Sequence, residues 1–212
     1  MTHSDSRRTF LQEATKNYHQ QLSGSPGEAY LHSRGLPLQQ IERFRLGYVA
    51  EPLAGHEQYR GCLAIPYIRK SAGGNWAVIE MKFRHINPPP GVDKYLNVTG
   101  STTRIFNTID MVLHEQTIAI CEGEMDAIAA SSNGIPAVGI AGVTNWKSHY
   151  DQLFYGFDTV YILADGDEAG KHFSNTLAEK LDNAKVVVLP PGEDVNSVIS
   201  SQGADWLKEK LV

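Results

Sequence analysis

Along the first quarter of the chain, apolar positions recur at helical intervals between clear breaks. "RRTFLQEATKNYHQQL" (7–22) reads as a helix that ends before "SGSPG". In "SPGEAYLHSRGL" (25–36), Ser25 suits an N-cap, Pro26 the first helical position and Gly35 the stop. "PLQQIERFRLGY" predicts a third helix that starts at Pro37 and stops at Gly47. Strand-like runs follow at "CLAIPYI" (62–68), "WAVIEMKF" (76–83) and "KYLNV" (94–98), parted by "RKSAGGN" and "NPPPGVD", which carry loop chemistry. From about residue 115 the rhythm changes. Apolar β-runs at 117–121, 136–140, 159–164 and 185–189 alternate with helical patterns at 124–133, 146–154, 169–182 and 194–201. Such alternation predicts a parallel sheet covered by helices on both faces. The expected architecture is α/β: an N-terminal helix over 1–25, a small α+β subdomain over 26–112, and a parallel-sheet domain with a C-terminal helix over 113–212.

Composition narrows the class. The 212 residues are 42% hydrophobic and 20% charged, as in a soluble globular protein. No apolar run approaches the length of a membrane span, and "MTHSDSRRTFLQEATKNYHQ" lacks the apolar stretch of a signal peptide. Cys62 and Cys121 stand far apart in apolar contexts and read as reduced core residues of a cytoplasmic protein. With no CxxC pair, no structural zinc module is expected. The net charge of −5 is unevenly spread. Residues 1–112 hold 13 Lys/Arg against 9 Asp/Glu; residues 113–212 hold 6 against 15. A mildly basic half precedes a strongly acidic one, which suggests different work for each.

Three of the apolar runs end in carboxylates. "AICEGEMDAIA" (119–129) places Glu122, Glu124 and Asp126 after the strand; "VYILADGDEAG" (160–170) places Asp165 and Asp167; "VVVLPPGEDVN" (186–196) places Glu193 and Asp194. In an open parallel sheet, ligands bind at the carboxyl ends of the strands, so these acids are able to converge although distant in sequence. Converging carboxylates repel unless protons or a cation neutralise them, and hard oxygen donors select Mg²⁺ or Mn²⁺. Acids also favour helix N-termini, and Asp-Gly is ordinary turn chemistry, so each site alone has a purely structural explanation. A calcium loop starting at Asp165 fails on Ala169 at its fifth position and Thr176 at its twelfth. If the acids repel one another without metal, Asp165→Ala or Asp167→Ala leaves thermal stability unchanged or raised.

"EGEMDAIAA", "LADGDEAGKHF" and "LPPGEDVNSVI" resemble, in order and spacing, the three acidic motifs of the Toprim domain. That domain is shared by DnaG-type primases, topoisomerases, OLD-type nucleases and RecR-like proteins. Upstream, "YLHSRGLPLQQIERFRLGYVAEP" (30–52), "YRGCLAIPY" (59–67), "MKFRHI" (81–86) and "DKYLNVTGSTTRIF" (93–106) resemble the catalytic core of DnaG-type DNA primases, including its Lys-Tyr-Leu-Asn motif. The resemblance runs over roughly 26–205. It implies metal-dependent synthesis of short RNA primers on single-stranded DNA from ribonucleoside triphosphates. It further implies two Mg²⁺ or Mn²⁺ ions and, as partners, a replicative helicase or a separate zinc-binding module.

On this resemblance Glu122, Asp165 and Asp167 are the expected catalytic residues. Glu122, Asp126, Asp165, Asp167, Asp194 and Asn196 are the expected metal ligands. Arg60, Lys82, Arg84, Lys94 and Lys171 are expected to meet nucleotide or DNA phosphates. Glu122 is open to a second role, as acceptor of the 3′-hydroxyl proton. The chain departs from the family pattern at Cys62, where a second arginine is usual, and at Asp194-Val195-Asn196, where Asp-x-Asp is frequent. A Toprim-type nuclease and a non-catalytic nucleic-acid-binding module are the alternatives. The Lys-Tyr-Leu-Asn region weighs against the first and the intact acids against the second. Trp76, Trp146 and Trp206 are candidate base-stacking platforms, although packing is the plainer role for each.

Overall fold

The structure, a computed structural model, describes residues 5–70, 74–98 and 100–211. The chain divides into two compact units, Met1–Thr102 and Thr103–Val212. The loop expected over 69–75 lies partly outside the described residues.

In the first unit, helix α1 (Asp5–Gln20) buries Leu11, Ala14, Thr15 and Tyr18, one stripe at helical spacing. The stripe lies on an antiparallel sheet of β1 (Gly47–Tyr48), β2 (Cys62–Lys70), β3 (Trp76–His85) and β4 (Tyr95–Asn97), paired in that order. The helix expected over 1–25 is therefore a layer of this unit, because its apolar face has no other cover. Between α1 and the sheet sits an aromatic core in which Tyr59 stacks on Phe83 at 3.8 Å and buried His56 meets both rings edge-on. Tyr18 Oη and His56 Nδ1 share a hydrogen bond at 3.0 Å, and Tyr18 Oη accepts from the Leu53 N–H. Burial holds the His56 pKa below its usual value.

Helix α2 (Pro26–Ser33) starts as its sequence predicts: Ser25 Oγ accepts from the Gly27 and Glu28 N–H groups, and Gly35 follows with φ of 75°. Helix α3 (Leu38–Arg43) does not reach Gly47. It stops earlier because Arg45 takes a left-handed φ of 51°, a turn that glycine makes more easily, and Gly47 then opens β1. In β3 the pairing slips at Tyr67/Ile68, skipping Ile79. That irregularity puts Val78 in the same α1-side core as Met81 and Phe83, which strict alternation would place on the opposite face.

The second unit begins ahead of the expected boundary near 112. Phe106 exchanges backbone hydrogen bonds with Gly139, and the buried Asp110 carboxylate accepts from Ser131 Oγ at 2.6 Å and the Ala137 N–H at 3.0 Å. These bonds tie residues 106–110 and helix α4 (Thr108–Leu113) to the 131–139 segment of the second unit. The charge division survives the move: 12 Lys/Arg against 8 Asp/Glu up to 102, and 7 against 16 thereafter.

Strands β5 (Thr117–Cys121), β6 (Ala137–Gly139), β7 (Thr159–Ala164) and β8 (Ala184–Val188) form a fully parallel sheet in the spatial order β6-β5-β7-β8. One face packs on α6 (Asp151–Phe154) and α7 (Glu168–Ala178) through Phe154, Phe173 and Leu177. Helix α5 (Glu124–Ser132) packs on β5, β6 and α8 (Val195–Gln202), and α9 (Ala204–Lys208) follows against α8. The helix expected over 146–154 is broken: Ser148–Tyr150 is a 3₁₀ turn and only α6 is helical beyond it. No helix among the described residues is long and apolar enough to cross a membrane.

Candidate active site

The strand order reverses between β5 and β7, because β6 lies on one side of β5 and β7 on the other. Such a switch point opens a crevice at the carboxyl ends of the two strands. Glu122 follows β5 and Asp165 follows β7, so the first two acidic motifs meet there. The contact is direct: the Asp165 N–H donates to Glu122 Oε1 at 3.0 Å across 43 positions of sequence.

The third motif is joined to the second through backbone. Gly166 N–H donates to the Glu193 carbonyl and Gly192 N–H to the Gly166 carbonyl, each at 2.8 Å. A Cβ on residue 166 would lie 1.9 Å from the Pro190 oxygen, and one on residue 170 would lie 2.0 Å from the Asp165 oxygen. Only glycine fits either approach, so the Asp-Gly-Asp turn sits hard against the 190–194 loop and the first turn of α7. A further bond, from the Asn196 N–H to Asp126 Oδ1 at 3.2 Å, links the start of α8 to α5.

Electrostatics confirm the crowding. Glu122 is half-buried and its pKa is raised, first by burial and then by the neighbouring Asp167 and Asp126 charges, against a lowering from the Asp165 N–H. Buried Cys121 feels the same field: burial first, then Asp126, Asp165 and Glu122, push its thiol pKa up. It is an inert reporter, since only the thiolate is nucleophilic. Glu124, grouped with Glu122 and Asp126 by sequence, is buried in the first turn of α5.

Two of the expected ligands also hold helices. Asp167 caps α7, its Oδ1 accepting from the Gly170 N–H at 2.8 Å. Asp194 caps α8 in a reciprocal box with Ser197, accepting at 2.6 Å. Loss of such a cap costs about 1 kcal/mol, so Asp167→Ala is expected to lower stability, contrary to the expectation from repulsion alone. Asn196 is 3% exposed. Among the described residues, no three of His, Cys, Asp and Glu are gathered tightly enough to form a ready metal cage. The donor set nonetheless fits a hard divalent cation: Asp126 and Asp167 act on Glu122, Asp126, Asp165 and Glu122 act together on Cys121, and positive charge would relieve the crowding that raises Glu122.

The expected cations lie mostly in the first unit. Arg84 is 8% exposed; its guanidinium lies 5.0 Å from the Tyr30 ring and 5.3 Å from the Tyr95 ring, and its Nε donates to Tyr95 Oη at 3.3 Å. Lys82 places Nζ 4.8 Å from the Tyr95 ring; Lys94 is exposed, and its carbonyl accepts from the His85 N–H. Arg84 and Lys82 thus gather about Tyr95. Arg60 does not join them. Its guanidinium forks onto the Glu51 carboxylate at 3.0 and 3.1 Å on the exposed surface. In the second unit Lys171 pairs with Glu168, one turn back on α7. The sequence reading missed Tyr30 and Tyr95 as the rings that hold Arg84, and Gly166 and Gly170 as close-approach positions. The tyrosines stood in the quoted motifs, and the Gly-x-x-x-Gly interval from 166 to 170 was the available signal for the glycines. Trp146 is a packing residue, stacked on Phe154 with Nε1 donating to Asp151.

A Toprim-like family model matches residues 119–199. The chain is 46% identical to the Gene 57 protein of Mycobacterium phage D29 over 72% of its own length and 99% of that protein. It is 26% identical to a DNA primase of Pasteurella multocida over 91% of its own length, and it spans 40% of that longer protein. Among solved structures, a DNA primase domain from Pseudomonas aeruginosa superposes with a TM-score of 0.77 at 22% identity, over 96% of this chain and 77% of that one. A DnaG primase catalytic domain bound to single-stranded DNA gives 0.74 at 21% identity, over 97% and 78%. At these identities the superpositions speak for the fold.

Proposed function

Since the chain belongs to the family of DnaG-type primase cores with a Toprim domain, we propose that it synthesises short RNA primers on single-stranded DNA from ribonucleoside triphosphates. The observation that carries this is the meeting of Glu122, Asp165 and Asp167 at the strand-order switch, with the Asp165 N–H bound to Glu122. Primer synthesis joins two nucleotides when a 3′-hydroxyl attacks an α-phosphate and pyrophosphate leaves. Mg²⁺ or Mn²⁺, two ions in this reading, would supply positive charge for the attacking and leaving oxygens. Glu122, Asp165 and Asp167 would hold them, with Asp126, Asp194 and Asn196 in support.

The chain's own groups define the rest of the work. The Asp165 N–H orients the Glu122 carboxylate, and the raised pKa of that carboxylate suits it to accept the hydroxyl proton when it is not committed as a ligand. Arg84, with Lys82 and Lys94, would bind template or triphosphate phosphates; its contacts with the Tyr30 and Tyr95 rings limit the orientations its fork can take. Arg60 and Lys171 would contribute after leaving Glu51 and Glu168. A replicative helicase or a separate zinc-binding module is the partner this reading includes, and the cytoplasm is its compartment. Incubation with single-stranded DNA, labelled ribonucleotides and Mg²⁺ or Mn²⁺ tests it. Short RNA products are the expected result. DNA fragments would mark a nuclease, and neither product a binding module.

A further inference from the structure

On the α1 side of the first unit's sheet, a groove of about 840 Å³ runs between α1, the end of α3 and the start of β3. Three cations, Lys16, Arg43 and Arg45, line it against one acid, Glu42, and all four are exposed. Its apolar floor is Ile68 and Val78. At its edge stands Trp76, 54% exposed, with Lys70 Nζ 5.7 Å from the ring. The slip in β3 pairing places Trp76 on this side along with Val78. Lys82 and Arg84 alternate with Met81 and Phe83 and so point to the other face of the sheet. The groove is therefore a separate surface from the Tyr95 cluster.

Arg45 sharpens the picture. It adopts the left-handed conformation that ends α3, where glycine would sit without strain, yet the position carries a long cationic side chain. Among the described residues, neither Arg45 nor Lys16 forms a salt bridge. An open indole beside these two cations matches one kind of ligand in both respects: a base to stack and phosphates to pair. We infer that this groove is a second binding track for single-stranded nucleic acid, with Trp76 stacking a base and Lys16, Arg43 and Arg45 meeting the phosphates. An apolar partner would leave the cations unanswered, and an acidic peptide would leave the indole unused.

The inference rests on the template-binding part of the proposed function and is independent of nucleotide joining. The test uses the full chain, labelled oligothymidylate, anisotropy at several salt concentrations, and intrinsic tryptophan fluorescence. Trp76→Ala should weaken binding about tenfold and abolish most of the fluorescence quenching that the oligonucleotide causes. Arg45→Gly should reduce the salt slope by about one while the melting temperature holds or rises, because glycine suits that turn. The same slope and quenching in wild type and both variants would overturn the inference. Equal quenching by polyglutamate would overturn it in favour of an acidic peptide. If wild-type protein fails to bind the oligonucleotide at all, the template-binding reading fails with it. Binding that survives in both variants but falls in Arg84→Gln removes the groove alone.

Discussion

In the first unit Arg84 is held by two tyrosine rings and the His85 carbonyl, and Arg60 by the Glu51 carboxylate and the Ala50 carbonyl; each cation is fixed separately, by its own set of neighbours. In the second unit the acids are brought together by backbone: Asp165 N–H on Glu122, Asn196 N–H on Asp126, and the Gly166–Glu193 and Gly192–Gly166 pairs. The difference follows from charge. Cations on a net-positive sheet can be positioned one at a time by aromatic and acidic neighbours. Carboxylates that repel one another need a scaffold that does not depend on their own interactions. The parallel sheet supplies it, because the acids sit in strand-end turns whose geometry the sheet has already set. Disturbing the scaffold should therefore damage the second unit in ways that removing a single charge does not.

The largest effect is expected from Asp165→Asn with Asp167→Asn. Primer synthesis should fall by at least about a hundredfold, since charge stabilisation of the reacting oxygens is worth several kcal/mol. Asparagine also caps helices, so the melting temperature should change little. Near-normal synthesis by this variant, read from labelled RNA on a denaturing gel, would remove the acids from catalysis. Next comes the scaffold alone. Gly166→Ala leaves every carboxylate in place but drives a methyl into the Pro190 carbonyl. It should lower unfolding stability by about 2 kcal/mol or more, by analogy with overpacking elsewhere in proteins, and should reduce synthesis as well. Urea denaturation monitored by circular dichroism measures the first of these. Unchanged stability would mean that the 190–194 loop moves away at no cost.

A smaller effect is expected at Arg84. Arg84→Gln should reduce the salt dependence of single-stranded DNA binding by about one unit in slope, while Arg60→Gln should change it less because Glu51 competes for that guanidinium. Equal effects would show that the two tyrosine contacts confer no advantage. The smallest effect is a pH dependence in the first unit. The His56 pKa is depressed by burial, so the unfolded state takes up the proton first as pH falls. Stability is full above the ordinary histidine pKa near 6.5 and declines from there toward the lower folded value. Urea midpoints between pH 8 and pH 5 should fall on that limb, and His56→Phe should flatten it.

Much of the fold is written in short-range pattern. The apolar runs that become β5 to β8 are continuous because both faces of a parallel sheet are covered, and Ser25, Pro26 and Gly35 bound α2 by local chemistry. What escaped was non-local. Nothing near Arg45 in sequence says that an arginine, and not Gly47, ends α3. The short β1 and α4 depend on partners 15 or more positions away, Leu63 and Ala64 for the one, Ser131 and Ala137 for the other. At the site, the acids were legible because three strand ends repeat them. The tyrosines around Arg84 were not, because a ring that stacks on a cation looks in sequence like any half-buried aromatic. The second role of Asp167 and Asp194 as caps was hidden by their more conspicuous charge.

Electron paramagnetic resonance titration of Mn²⁺ into the full chain and into Glu122→Gln/Asp165→Asn/Asp167→Asn, with single-stranded DNA binding measured on the same samples, tests the central claim most directly. If the second unit's strand-end acids hold the metal and the first unit carries the nucleic acid, the variant loses Mn²⁺ binding and keeps its DNA affinity or gains some. Undiminished Mn²⁺ binding by the variant would contradict the account.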